Sequence, residues 1–145
     1  DTSVWDVSCN RTFFSRYAIE EFVKNMQNED IFSSCQQRSI IEVEGKVVGC
    51  IDIYEVEPQH SRAGIGLYIE KEFRNKGYAR QAVNWLEDYA QNVLGLHQLY
   101  CYIPIDNTPC ITLFERMNYF SSSILKQWIR KKGEYIDVKV YQKLF

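Results

Sequence analysis

The sequence predicts an α/β (α+β) domain of three layers, built on a mixed, mostly antiparallel sheet with helices on both faces. Three observations carry this. Ala79, Ala82, Val83, Leu86, Tyr89, Ala90, Val93 and Leu94 form one apolar stripe at helical spacing. Short apolar runs, "RAGIGLYIE" and "HQLYCYI", flank that stripe, so the three make a β-α-β unit whose strands must run parallel. Two further pairs of apolar runs each enclose a glycine-bearing turn, which is the pattern of antiparallel hairpins.

Taken in chain order, the first element is a helix. Ser15 can cap it, and Ile19, Phe22, Val23 and Met26 fall at i, i+3, i+4 and i+7. "RSIIEVEGKVVGCIDIYEV" reads as two strands around Glu44-Gly45-Lys46, and Pro58 ends the second. The third strand covers Arg62 to Glu70, the long helix Gly77 to Leu94, and Gly95 stops that helix. A strand at 97–103 follows. "IDNTPCITLFERMNYF" then holds a helix capped by Asp106 or Asn107, with Pro109 in its first turn and Asn118 at a left-handed exit. "SSILKQWIR" and "EYIDVKVYQKLF" close the chain as a hairpin around Lys131-Lys132-Gly133.

At 145 residues the chain is expected to be one domain, 1–145, with a sizeable core. A net charge of -2 and the brevity of the basic patch "WIRKKGEY" argue against nucleic acid as a partner. No apolar run approaches membrane-spanning length, and residues 1–15 lack the layout of a signal peptide, so no membrane is implied. Five cysteines, an odd number with no CxxC pair, and two histidines argue against a disulfide framework or a zinc site. Reduced thiols in a cytoplasmic protein are the expectation, with no metal.

The stretch "EKEFRNKGYARQA" carries the chemistry. It joins the third strand to the long helix, where the first backbone N–H groups lack intrahelical partners and hold the positive end of the dipole. A glycine there lets a ligand approach the backbone, and successive N–H groups can wrap phosphate oxygens. Arg74, Lys76 and Arg80 add charge. Read alone, Lys76-Gly77 fits a solvated loop equally well, and neither a Walker loop nor a dinucleotide fingerprint is present.

Arg74-Asn75-Lys76-Gly77-Tyr78-Ala79 resembles the acetyl-CoA pyrophosphate loop of the GNAT acetyltransferases, Gln/Arg-x-x-Gly-x-Gly/Ala. "NTPCITLFERMNYF" is similar to their Asn-x-x-Ala/Ser-x-x-Leu-Tyr-Glu-Lys-x-Gly-Phe segment, at the same spacing. "HSRAGIGLYI" and "LKQWIRKKGEYIDVKVYQ" resemble the branch that acetylates spermidine and ribosomal-protein amines, so the likeness spans roughly Ser39 to Phe145. It implies a GNAT-like three-layer fold whose central parallel strand pair splays at a bulge to admit the cofactor. It also implies acetyl transfer from acetyl-CoA to a primary amine by direct attack, the acceptor being a peptide N-terminus, a polyamine or another small amine, and it leaves room for a homodimer. Leu67, Tyr68 and Ile69 match the strand whose amides pair with the pantetheine arm; Arg74 through Arg80, Tyr78 and Ala79 among them, match the pyrophosphate loop. Asn107 matches a pantetheine contact. Family members open with a strand, whereas "DTSVWDVSCNRTFF" enters midway, as if that first strand were absent; either the chain is trimmed or the sheet has an unusual edge.

Direct attack needs a held thioester, a base for the ammonium and protection of the leaving thiolate. Asp52, Glu55, Glu57 and His60 are the base candidates, and Glu55 is preferred because it aligns with a polyamine-side carboxylate of the resembled branch. Water is the other acceptor of that proton. Glu42, Glu44, Asp52, Glu55 and Glu57 make the first hairpin acidic, which attracts cationic amines. Phe114 stands where many members carry a proton-donating Tyr. Its ring is expected to face the thioester sulfur as an apolar wall, with water or a tyrosine such as Tyr100 or Tyr102 supplying the proton; the other reading is that Phe114 is core, since Leu113 and Met117 share its helix. The alternative is a non-catalytic acyl-CoA-binding or regulatory domain.

Overall fold

The structure, a computed structural model, describes residues 35–145. The helix expected around Ile19–Met26 and the question of a first strand lie outside the described residues. Six strands form one sheet in the order β1-β2-β3-β4-β6-β5. They are β1 (Gln37–Val43), β2 (Lys46–Glu57), β3 (Arg62–Ile69), β4 (Gln98–Pro104), β5 (Phe120–Lys131) and β6 (Glu134–Leu144). Both predicted hairpins, β1–β2 and β5–β6, form, each turning on a left-handed pair: Glu44-Gly45 and Lys132-Gly133.

Helix α1 (Tyr78–Asn92) supplies the crossover from β3 to β4, which pair in parallel as the β-α-β pattern requires. Helix α2 (Thr108–Arg116) follows β4, with Asn107 rather than Asp106 as its cap: the Asn107 carboxamide oxygen accepts the Cys110 N–H at 3.4 Å. Gly95 and Asn118 both take the left-handed conformation expected after the two helices. No helix among the described residues is long and apolar enough to cross a membrane.

Alternation along the strands assigns each face. Ile51, Ile53, Ala63, Ile65, Leu99, Cys101 and Ile103 share one buried cluster with Val83, Leu86 and Ala90 of α1 and Phe114 of α2. Each large apolar side chain in it contributes about 1.5–3 kcal/mol by burial, so the two helices are held mainly by this face. Val93, counted in the α1 stripe, is exposed, because the helix has reached its C-cap there. The intervening strand residues, Asp52, Tyr54, Gly64, Tyr100 and Tyr102, point to the other face.

Two irregularities shape the centre of the sheet. The parallel β3–β4 ladder stops after three rungs, at Gly64 opposite Tyr100, although β3 runs on to Ile69 and β4 to Pro104. The strands therefore part, as the resemblance implies. The bulge that accompanies this is not in β3, where it was expected, but in the neighbouring β2, between Tyr54 and Glu57. There the backbone of Glu55 is left-handed, with φ +49°. Strict alternation would send Glu55 toward the helices and Val56 away from them. The extra residue reverses both: Val56 joins the core and Glu55 turns out beside Tyr54.

Candidate active site

The β3–α1 junction is a single turn of 3-10 helix (Lys71–Phe73) followed by Arg74–Gly77. Gly77 caps α1 with φ +82°, a backbone conformation that disfavours any residue with a Cβ, and Asn75 is also left-handed. The first backbone group of the junction to find a helical acceptor is the Gln81 N–H, which donates to the Gly77 carbonyl at 3.2 Å. The N–H groups of residues 75–80 have no acceptor among the described residues. Asn75, Lys76 and Gly77 are exposed, and Tyr78 and Ala79 are partly so. Six consecutive donors at the positive end of a 15-residue helix, with the exposed Lys76 and Arg80 beside them, fit a pyrophosphate.

Arg74 has a different task from the one its charge suggested. Its Nε donates to the Ile69 carbonyl at 2.8 Å, and its guanidinium stacks 5.6 Å from the centre of the Tyr68 ring. It thus ties the turn back to the end of β3 instead of reaching outward. Leu67, Tyr68 and Ile69 lie on β3 beyond its last rung with β4, where the two strands no longer pair, as a pantetheine-pairing strand requires. Asn107 sits at the C-terminal end of β4, on the other side of the parting. A separate groove of about 500 Å³, lined by Lys46, Glu70, Glu72 and Phe73 among others, touches neither β4 nor the α1 terminus. Its two carboxylates make it ill-suited to an anion.

Phe114 requires a correction. Its side chain is 2% exposed and lies in the core, edge-to-face with Tyr119 at 4.9 Å between ring centres. It is not a wall of an open slot, because the inward side of the short α2 must bury its one large ring against the sheet. Phe114→Tyr is therefore expected to cost about 1–3 kcal/mol, the penalty for a buried hydroxyl without a partner, and to bring no gain in turnover. Denaturant unfolding and steady-state rates on the same preparation check both halves.

The acidic candidates separate once their partners are seen. Asp52 is committed to Arg38, which donates from Nε and Nη2 to its two oxygens at 2.7 Å each. Burial works against the Arg38 charge, but the hydrogen bond and the charge of Asp52 outweigh it and raise the guanidinium further. Glu57 accepts the Gln59 N–H at 3.0 Å and so shapes the turn into β3, where His60 is exposed. Glu55 alone reaches the parting of β3 and β4: the Tyr100 hydroxyl donates to its Oε2 at 2.7 Å. Burial first, and then that hydrogen bond and the Glu55 charge, push the Tyr100 hydroxyl well above the ordinary phenol range, so it remains a donor.

One group escaped the sequence reading. Glu87 of α1 is only 8% exposed, and it accepts the Tyr119 hydroxyl at 2.9 Å and Lys143 Nζ at 3.0 Å. Its place four residues after Val83 and three before Ala90, on the buried side of the stripe, was the available signal.

Comparison with known proteins bears on the family and the fold. Residues 4–119 match the model of the acetyltransferase (GNAT) family. A spermidine N(1)-acetyltransferase of Vibrio cholerae is 24% identical over 142 residues, covering 94% of this chain and 82% of the relative. That of Escherichia coli K12 is 26% identical over 132 residues, covering 87% and 71%. Among solved structures, the spermidine N-acetyltransferase from Vibrio cholerae in complex with CoA and spermine superposes with a TM-score of 0.84 at 21% identity, over 99% of this chain and 83% of that one. A dodecameric form of the Vibrio cholerae enzyme gives 0.77 at 25% identity, over 91% and 75%.

Proposed function

Because this chain belongs to the GNAT acetyltransferase family, and is thereby an N-acetyltransferase that takes its acetyl group from acetyl-CoA, we propose that its acceptor is a polyamine or similar small primary amine. One observation carries the choice: the exposed carboxylate of Glu55, turned out by the β2 bulge at the point where β3 and β4 part. Glu42 and Glu44 add negative charge on the same hairpin, which draws in a substrate with several ammonium groups. Similarity to spermidine acetyltransferases supports the same reading.

In this reading the N–H groups of residues 75–80 hold the pyrophosphate, with Lys76 and Arg80 as outer charges. The edge of β3 from Leu67 to Ile69, beyond its last rung with β4, pairs with the pantetheine arm, and Asn107 closes the other side. Bound acetyl-CoA supplies the thioester. Glu55 docks the ammonium and takes its proton; the freed amine forms the C–N bond to the thioester carbon as the C–S bond breaks, a backbone N–H of β3 near the parting donates to the developing oxyanion, and the CoA thiolate takes a proton from water. The compartment is the cytoplasm. Self-association is part of the proposal: the edge strand β5 exposes Phe120, Ile124 and Trp128, apolar surface suited to a second copy.

The test is release of free CoA thiol from acetyl-CoA over a panel of spermidine, spermine, monoamines, amino acids and peptides with free N-termini. Turnover with polyamines well above the peptides is expected; peptide preference would overturn the choice of acceptor. Acetyl-CoA binding with no thiol release for any amine would favour a binding domain. Light scattering on the same sample reads the assembly, and a strict monomer at high concentration removes the proposed self-association.

A further inference from the structure

Beside Glu55, three tyrosines form a continuous row to which the proposed function assigns no part in holding the acceptor. Tyr54 of β2 and Tyr100 of β4 are separated by β3, yet their ring centres lie 6.4 Å apart at 86°. The residue between them is Gly64, the partner of both in register. A Cβ there would meet the Tyr54 ring at 2.4 Å, so the ring occupies the space a side chain would take and leans over β3 toward Tyr100. Tyr102 continues the row, 5.8 Å from Tyr100 at 81°. Two alternating edge-to-face contacts bring ring faces and hydroxyls together at the last rung before β3 and β4 separate.

Glu55 closes this row. Its left-handed backbone is a strained conformation for a non-glycine residue, and strain of this kind persists where the surroundings over-determine it. One carboxylate oxygen, Oε2, is held by the Tyr100 hydroxyl. A carboxylate fixed at one oxygen beside aromatic rings is the combination that recognises an alkylammonium ion: charge and hydrogen bonding from the carboxylate, cation–π attraction from the rings. Arg62, on β3 and two residues before Gly64 on the same face, places one positive charge beside Tyr100. That charge opposes Glu55 in part, so an ammonium must be held by direct contact with the carboxylate and the ring faces, and one such group, not a cluster, fits the charge present.

Resting on the proposed amine acceptor, we propose that Tyr54, Tyr100 and Tyr102 with Glu55 form an aromatic cage for the reacting primary ammonium, in which Tyr100 is the positioning residue that aims Glu55. Tyr100 acts through the carboxylate, so its effect must vanish when the carboxylate is gone.

The experiment is a double-mutant cycle of Tyr100→Phe and Glu55→Gln, read by calorimetric titration of spermine into the CoA-loaded protein and, separately, by kcat/KM from thiol release. Tyr100→Phe keeps the ring and removes one hydrogen bond to a charged group, which predicts a loss of roughly 10- to 100-fold in each readout. In the Glu55→Gln background the same change is expected to cost less than about 2-fold. Tyr54→Leu removes a ring face and should weaken spermine binding several-fold while leaving acetyl-CoA affinity unchanged. Equal effects of Tyr100→Phe in both backgrounds, or no spermine binding by the unaltered protein, overturn the cage. Turnover with polyamines but an additive cycle sinks the cage and keeps the proposed function. A coupled cycle in binding with no turnover for any amine does the reverse.

Discussion

Replacing Gly77 with valine is expected to weaken acetyl-CoA binding on the order of 100-fold, whereas Lys76→Ala should cost no more than about 3-fold. The backbone decides this, not the available space. Gly77 has φ +82°, and the nearest atom a Cβ would meet is Gln81 Nε2 at 3.9 Å, so no protein clash prevents the substitution. A left-handed L-residue costs roughly 1–2 kcal/mol, and a β-branched one more, so the turn is expected to relax out of that conformation. Relaxation rearranges the N–H groups of residues 75–80, whose present arrangement depends on Asn75 and Gly77 both being left-handed. The new side chain would also lie where the phosphate must approach. Lys76 is exposed, and a single exposed charge contributes little at physiological salt. Gly77→Ala should fall between the two. Titration of CoA into the three variants, with melting temperatures measured on the free proteins, separates lost affinity from lost stability; equal losses for Gly77→Val and Lys76→Ala would count against a backbone site.

The second large effect is on stability. Lys143→Met is expected to destabilise the fold by about 2–4 kcal/mol. Removing one partner of a buried ion pair costs about 3–5 kcal/mol, discounted here because the Lys143 side chain is 24% exposed against 10% for Glu87. Without the ammonium, Glu87 keeps only the Tyr119 hydroxyl, and an unpaired carboxylate remains between α1, the end of α2 and β6. The cation also lies over the Tyr119 ring at 5.6 Å, and the substitution removes that cation–π attraction as well. Adding Glu87→Gln should restore most of the stability, since an amide oxygen still accepts the Tyr119 proton and no charge is left unpaired. Denaturant midpoints of the single and double variants measure this. A double variant no better than Lys143→Met would mean that the carboxylate is not the source of the cost.

Much of this protein was legible in its residues because the relevant physics is local. The period of the α1 stripe, the turn pairs at Glu44-Gly45 and Lys132-Gly133, the stop at Gly95 and the β-α-β order each depend on neighbours within a few positions. So does the phosphate-suited start of α1, since an unpartnered N–H and a left-handed glycine belong to the helix end itself. The sequence by itself therefore determined the hairpins, the parallel crossover and the position of the junction. Only the tertiary structure decided what faces what. The β2 bulge sends Glu55 to the tyrosine row and Val56 to the core, Arg74 folds back onto Ile69, Phe114 turns inward, and Glu87 is buried with Lys143. Tyr100 lies 45 residues from Glu55, and Lys143 lies 56 from Glu87. Periodicity and turn chemistry hold no information over such separations; register, close approach over Gly64 and competition for buried space set these pairings, and they exist only once the sheet has closed.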